Sequence, residues 1–308
     1  MTIRTIRPEE LEAYCALGGS GELPGIVRRF WKEGRSSPDV CFVAEHDGKP
    51  VGRVFFYHGL TSTVHKMLGM HIEDSVDFRE AGKELLTTAL TRLAKSGATC
   101  AMGAIYDIYE RNPVRRQELL EAVGFRQFQE KRRYVWQDSG AAIEVPSRLE
   151  FRSLAVVGED AFTEAARRVT EGTLDRDDQA DIAKFGLHEA GRMYMAVLKD
   201  VEFLPAEWQL GYLPDGALCG LVVPQHIEVA GEGTINYIGV VPELRGSGYG
   251  FDLLMKGTAL LQRRGLKTVV AETDVENRPL HAEIERAGYR HDGTLRVFRC
   301  DLTQPAND

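Results

Sequence analysis

Cysteine is scarce in this chain and scattered. Its five copies, Cys15, Cys41, Cys100, Cys219 and Cys300, are odd in number and lack the short paired spacings of a zinc site or a disulfide framework. That excludes a stapled scaffold and fits a reducing compartment, so a cytoplasmic location is expected. Histidines such as His46, His65, His188 and His226 stand apart, with no metal-ligand spacing, and no metal site is expected. Positive charge is also in short supply. With 38 Lys and Arg against 46 Asp and Glu the formal charge is −8, which argues against a nucleic-acid partner held by clustered cations. No apolar run approaches the roughly 20 residues that cross a bilayer. The start, Met1 to Leu11, carries charges where a secretory leader needs an apolar centre, so neither a leader nor a membrane partner is expected. What remains is ordinary globular material, 43% hydrophobic and 27% charged, in a 308-residue chain long enough for two cores.

Glycine, by contrast, is concentrated where it means something. Val240-Val241-Pro242-Glu243-Leu244-Arg245-Gly246-Ser247-Gly248-Tyr249-Gly250 follows a strand-like run, Thr234 to Val241, and opens an amphipathic helix near Phe251. Glycines let the backbone turn with no Cβ in the way. The amides from Gly246 to Gly250 then point outward at a helix start, where orphan N–H groups and the helix dipole favour an anion. Arg245 adds a cation with bidentate donors, suited to a pyrophosphate. The order of the glycines is neither the dinucleotide fingerprint nor a Walker loop.

The stretch resembles motif A of the GCN5-related N-acetyltransferases, Arg/Gln-x-x-Gly-x-Gly/Ala, with Arg245, Gly248 and Gly250 filling the pattern and Val241-Pro242 leading in. Downstream, Asn277-Arg278-Pro279-Leu280 through Ala287-Gly288-Tyr289 resembles motif B, an asparagine, a helix and a Gly-aromatic ending. The resemblance implies an α/β fold with a mixed sheet, and acetyl-CoA as co-substrate in the second half of the chain. It implies cofactor contacts from Val240, Val241, Arg245, Gly246, Ser247, Gly248, Tyr249, Gly250 and Asn277. In the family two parallel strands splay beside the thioester, which points to the backbone of Val240 and Val241. Asn277 is also a natural helix N-cap, and both roles are compatible.

An internal repeat sets the organisation. At a shift of 168 residues, Asp47-Gly48-Lys49-Pro50-Val51-Gly52 lies over Asp215-Gly216-Ala217-Leu218-Cys219-Gly220, each reading as a β-hairpin turn. Gly82 with Leu85-Leu86 lies over Gly250 with Leu253-Leu254, and Gly97 over Gly265; Val123-Gly124-Phe125-Arg126 matches Ala287-Gly288-Tyr289-Arg290 after a small gap. Ordered matches of this kind argue for duplicated units. Two tandem domains resembling acyl-CoA N-acyltransferases are therefore expected, 1–138 and 148–308, joined by a linker at 139–147. The first copy departs from the motif. Arg245 falls on Asp77 and Gly248 on Glu80, which sets carboxylates against an anionic ligand; the alternative frame, Arg79 to Glu84, ends in Glu84 instead of Gly or Ala. The first domain is read as degenerate, structural or substrate-shaping.

In the second half the pattern predicts strands at Leu149–Arg152, Met193–Leu198, Trp208–Leu213, Ala217–Pro224 and Thr268–Thr273. Helices are predicted at Glu159–Glu171, after Phe251 with Phe251, Leu254, Met255 and Thr258 on one face, and at Leu280–Ala287.

Moving an acetyl group to an amine requires a positioned thioester, loss of the ammonium proton and stabilisation of the developing oxyanion. Glu272, five residues before Asn277, is the favoured general base, at the spacing of a glutamate in ribosomal-protein alanine acetyltransferases; Asp274 shares or replaces it, or one of the two caps the next turn. The family's acid is a tyrosine seven residues after the motif B asparagine, and here that position is Ile284. Tyr237 and His281 are the candidate replacements, with water as the alternative, while Tyr289 reads as core. The acidic run Glu171 to Asp181 is either an acceptor-site wall that draws a cationic amine or a solvated loop. The resemblance thus implies an acetyl-CoA-dependent N-acetyltransferase for a primary amine of a small molecule. Protein or peptide acetylation, a mycothiol-synthase-like reaction (those enzymes also carry two such domains) and a non-catalytic acyl-CoA sensor are the alternatives.

Overall fold

The structure, a computed structural model, describes residues 1–19, 21–59, 62–227 and 231–303; the end of the expected second domain, 304–308, lies outside them. In chain order the first copy runs β1 (Thr2–Thr5), α1 (Leu11–Ala16), α2 (Leu23–Lys32), β2 (Cys41–His46), β3 (Lys49–His58), β4 (Val64–Ile72), α3 (Phe78–Lys95), β5 (Cys100–Tyr106), α4 (Pro113–Ala122) and β6 (Arg126–Gln137). The second runs β7 (Glu150–Ser153), α5 (Leu154–Val157), α6 (Glu159–Thr170), α7 (Arg176–Phe185), α8 (Leu187–Val201), β8 (Gln209–Tyr212), β9 (Leu218–Ile227), β10 (Glu232–Val240), α9 (Tyr249–Arg263), β11 (Thr268–Asp274), α10 (Arg278–Arg286) and β12 (Arg290–Asp301). The shift of 168 carries β4 onto β10 and β5 onto β11 residue for residue. Among the described residues no helix is long and apolar enough to cross a membrane.

Contacts gather the chain into two units, residues 1–128 with 296–308, and residues 129–295. This division differs from the 139–147 linker because the last strand of each copy crosses over. From Gln129 onward β6 belongs to the second unit, where it pairs antiparallel with β11 from Gln137↔Thr268 to Lys131↔Asp274. From Arg296 onward β12 belongs to the first. Hydrophobic pattern specifies which residues of a strand face inward, not which copy supplies its neighbour.

In the first unit β1 to β4 form an antiparallel run, and β4 pairs parallel with β5. The β2–β3 turn is the predicted two-residue one. Asp47 and Gly48 both hold positive φ, 50° and 74°, as a type I′ turn requires, and His46 pairs with Lys49. Successive residues face opposite sides of the sheet. Phe42, Ala44, Val54 and Phe56 pack with Leu85, Leu86 and Leu120 of α3 and α4, while Cys41, Val43 and Phe55 pack with Tyr14, Val27 and Phe30 of α1 and α2. Both faces are covered, so these strands read as unbroken apolar runs.

In the second unit the strand order is β6-β11-β10-β9-β8-β7. One face carries α9 and α10 through Leu253, Leu254, Leu261 and Ile284; the other carries α6 and α8 through Phe162, Val169, Leu198 and Trp208. On α9 the fully buried side is Leu253, Leu254, Gly257, Thr258 and Leu261, with Phe251 and Met255 half-buried at its edge. The predicted strand at Met193–Leu198 is instead part of α8. Ala190, Gly191, Met195 and Leu198 are buried at helical spacing, which a six-residue apolar window is too short to reveal.

Candidate active site

β10 and β11 run parallel and pair only at Gly233↔Val269 and Thr234↔Val270 among the described residues. Beyond that β10 follows β9 to Val240 while β11 follows β6 to Asp274, so the two strands part. Two cavities fill the gap, of about 450 Å³ and about 140 Å³. They share the walls Val169, Thr173, Ile238, Asn277 and Leu280, so one opens beside the other. Splaying frees backbone groups on the gap side of β10. The amide of Val241 is committed to Cys219 O on β9 at 2.9 Å, and neighbouring strand residues present their groups to opposite edges. The Val240 N–H therefore faces the gap, whereas Val241, fully buried, does not offer its amide there.

The large cavity ends on the glycine turn, where Gly246, Gly248, Tyr249 and Gly250 line it. Gly246 and Gly248 hold φ of +78° and +77°, a left-handed conformation open to glycine at little cost. Gly248 is the N-cap of α9 and among the described residues no side chain bonds to the amides there, so the helix start is open for an anion. Behind the turn lies a support absent from the sequence reading, an exposed arginine held by a buried carboxylate. Arg148 donates to Gly248 O at 2.9 Å and to Ser247 O at 3.4 Å, and pairs with Asp252, which is fully buried. A buried carboxylate needs such a partner. Asp252 is the one charged residue on the buried side of its helix, and that was the signal for it. Arg148 also stacks on Tyr249 at 4.8 Å, and Arg286 on Phe251 at 4.0 Å. These two arginines and the carboxylate of Glu283, which pairs with Arg286 at 3.1 Å, all lie within 4 Å of where a Cβ on Gly248 would stand. The turn, the open helix start and the cavity fit the pyrophosphate and arm of a CoA.

The Arg245 side chain, expected to face the phosphates, is engaged elsewhere. It donates to four main-chain carbonyls, those of Val169, Glu171, Gly172 and Val240. Asn277 lines both cavities while its Oδ1 caps α10 through the Leu280 N–H at 3.4 Å. Asn112 caps the matching helix of the first copy through Arg115 N, so capping is the role the two copies share.

The small cavity is polar. Asp175, Asp177, Asp178 and Glu272 line it with a single ammonium, Lys131, and the phenols of Tyr194 and Tyr237. The acidic run is thus not a solvated loop: Asp175 caps α7 through the amides of Asp177 and Asp178, and turns the cluster inward. Burial raises the Asp175 carboxyl, but its ion pair with Lys131 at 3.1 Å outweighs that and leaves it below the ordinary range. Burial, followed by repulsion from Asp175, pushes Asp178 up to about 7. Two nearby carboxyls are driven apart, the pattern expected where one is to hold a proton and the other a charge.

Of the four catalytic candidates, the structure brings Glu272 and Tyr237 to this cavity. Glu272 is half-buried on β11. Asp274 proves to be the turn cap. It is 3% exposed, and its carboxylate accepts from Glu276 N, Arg176 N and Gln129 Nε2. His281 is turned toward the Asp274 carbonyl at 3.0 Å and lies outside both cavity walls; burial lowers its basicity. Tyr237 hydrogen-bonds Thr170, whose hydroxyl already donates to Ala166 O at 2.7 Å, so the phenol proton goes to Thr170. Burial, then the negative charge of Asp178, raises that phenol strongly. Tyr237 is held as a protonated wall residue whose proton points away from an incoming group. Ile284 and Tyr289 are core, the latter donating to Thr258, which itself donates to Leu254 O.

In the first unit the strands splay likewise: β4 and β5 pair at Val64↔Cys100 to Lys66↔Met102 and run on to Ile72 and Tyr106. The helix start differs. α3 begins at Phe78, the equivalent of Gly246, so the three-residue turn is absent, and Asp77 caps the helix by accepting from Glu80 N at 2.8 Å. A resident carboxylate occupies the place of an anion.

Residues 170–289 match the model of the acetyltransferase (GNAT) family. A stretch of 91 residues is 35% identical to a mycothiol acetyltransferase of Arthrobacter sp. (strain FB24), covering 28% of each protein, and 34% identical to one of Pseudarthrobacter chlorophenolicus, again 28% of each. The fold as a whole is similar to a GCN5-related N-acetyltransferase from Sphaerobacter thermophilus, with a TM-score of 0.69 at 17% identity over 100% of this chain and 97% of that one. It is also similar to a tandem GNAT protein from the clavulanic acid biosynthesis pathway, with a TM-score of 0.62 at 13% identity over 99% of each. The matched segment spans the splayed strands, the glycine turn and most of the residues that line the two cavities, and over it the chain is similar to the acetyltransferase (GNAT) family.

Proposed function

We propose that the second unit is an acetyl-CoA-dependent N-acetyltransferase that acts on a primary amine of a small molecule, and that the first unit holds no CoA. The carrying observation is the pair of adjoining cavities: one ends on an open helix start, the other is lined by four carboxylates and one ammonium. The thioester supplies an activated acetyl group when bound. The residues of the turn and the Val240 amide hold and orient it, and Arg148 with Asp252 keeps the turn in shape. The carboxylates attract a protonated amine, since a like-charged cluster raises the local cation concentration. Glu272 takes the proton the amine must lose before it can attack. In this reading no residue protonates the leaving thiolate; water does, because Ile284 has no proton and those of Tyr237 and His281 are directed elsewhere.

The identity to mycothiol acetyltransferases, confined to 91 residues, favours one specific acceptor, the amine of a thiol precursor. The test is turnover of acetyl-CoA with amines, polyamines, aminoglycosides and peptides, in wild type and Glu272→Gln. The variant keeps shape and hydrogen bonding but takes no proton at neutral pH. Its turnover should fall roughly a hundredfold, the scale of losing a general base, with CoA affinity nearly unchanged. Tight CoA binding with no turnover of any amine would instead make the protein an acyl-CoA sensor. Full activity of the variant would remove Glu272 from the reaction.

A further inference from the structure

Arg245 joins two parts of the site that the sequence keeps 73 to 76 residues apart. Its Nη2 donates to Val169 O at 3.0 Å and Glu171 O at 2.6 Å, its Nη1 to Gly172 O at 3.0 Å, and its Nε to Val240 O at 3.1 Å. Three of these carbonyls belong to the end of α6 and the turn after it. A helix leaves its last carbonyls without donors and carries partial negative charge there. A guanidinium satisfies several at once, with a fixed fork that an ammonium lacks. Gly172 makes room for it: its φ is +63°, and a Cβ would stand 3.2 Å from Nη1. The next residue, Thr173, accepts from the Asp175 amide at 3.1 Å and donates to Asp178 Oδ2 at 3.1 Å. Through these bonds the clamp at 169–172 sets the position of the carboxylates at the small cavity.

We propose that Arg245 is a positioning residue for the acceptor pocket: it caps α6 and so holds Thr173, Asp175 and Asp178 in place, while its own backbone begins the cofactor turn. This rests on the small cavity being the acceptor site. It assigns the arginine side chain to the amine half of the reaction and leaves only its main chain to the phosphates.

Three measurements on Arg245→Gln test the assignment: CoA affinity by calorimetry, amide hydrogen exchange over residues 171–178, and KM against kcat for whichever amine of the panel is turned over fastest. Exchange should rise about tenfold or more, the scale of losing one charge-assisted hydrogen bond. The amine KM should rise by about tenfold, with kcat falling less and CoA affinity within about threefold of wild type. Arg245→Lys, with the charge but no fork, should recover only part. Gly172→Ala, which crowds the same contact from outside the glycine turn, should reproduce the split, and it carries the test if Arg245→Gln does not fold. A loss of CoA affinity with unchanged exchange at 171–178 would overturn the proposal and return the side chain to the phosphates. Raised exchange with an unmoved amine KM would overturn it differently, by showing that the small cavity is not where the amine binds.

Discussion

Asp178 should make the protein less stable at neutral pH, and its removal should reveal this. The carboxyl stands beside Asp175 in the wall of the small cavity and is pushed up to about 7, by burial first and by Asp175 second. In the unfolded chain an aspartate titrates near 4. A carboxyl whose folded value is raised favours the fold fully below about pH 4, and that contribution is lost as the pH climbs to about 7. Integrating between the two values gives a penalty of about 1.5 kcal/mol at pH 5 and about 4 kcal/mol at pH 8, upper figures for a group that water still reaches. Asp178→Asn cannot ionise, yet it can still accept from Thr173. It should therefore be more stable than wild type by these amounts, with the gain growing between pH 5 and pH 8 and flat above. Urea unfolding followed by the fluorescence of Trp208, fully buried in the same unit, measures the difference. Because the variant also deletes an acidic group of the proposed acceptor wall, amine KM should rise as stability rises, the usual exchange between stability and activity. Equal stabilities at pH 8 would refute the reasoning, and so would a gain that is the same at pH 5 and pH 8.

The remaining predictions concern the cofactor turn. Gly248→Glu forces a side chain into a left-handed conformation at a cost of roughly 1–2 kcal/mol and places a carboxylate beside Arg148 and Arg286, where it copies the Asp77 cap of the first copy. Its CoA affinity should drop by about a hundredfold or more with the fold retained, and unchanged affinity would put the site elsewhere. Calorimetry on the whole chain should count one CoA, since Asp77 already holds the helix start of the first unit; two equal sites would show that a carboxylate cap does not close it.

Much of this arrangement could be read from residues alone, for a physical reason in each case. Asp47-Gly48 announces its turn because few residue pairs take two positive φ values in succession. The glycine turn announces itself because its backbone needs glycine at 246 and 248. The repeat shows through because turns recur at fixed spacing even where the strands between them differ. What escaped was decided by partners. The crossing of β6 and β12 is not legible in either strand, because an inward-facing pattern does not name the neighbour it pairs with. Met193–Leu198 is apolar enough for a strand, and only the burial of Ala190 and Gly191 just before it, at helical spacing from Met195 and Leu198, shows it to be helix.

The candidate catalytic residues illustrate the same division. Glu272 and Asp274 share a strand face by spacing, and sequence could only offer both as base or cap. Their surroundings separate them. Asp274 meets three donors and is closed off by the start of α7 and the turn before α10, whereas Glu272 opens on the cavity. Arg245 was legible as a motif position but not as a contact, because a motif records where a residue stands along the chain and not where a long side chain reaches. Its reach is set by Gly172, 73 residues earlier, whose missing Cβ admits the guanidinium to the end of α6. The acidic run is drawn into the site for a related reason: Asp175 caps α7, and a capped helix start fixes the direction of its first turn. Charge along the sequence is then converted into charge at one wall. In the proposed acceptor site, a segment that reads as solvated surface becomes the wall, because acidic side chains that outnumber a single ammonium favour a cation over an anion.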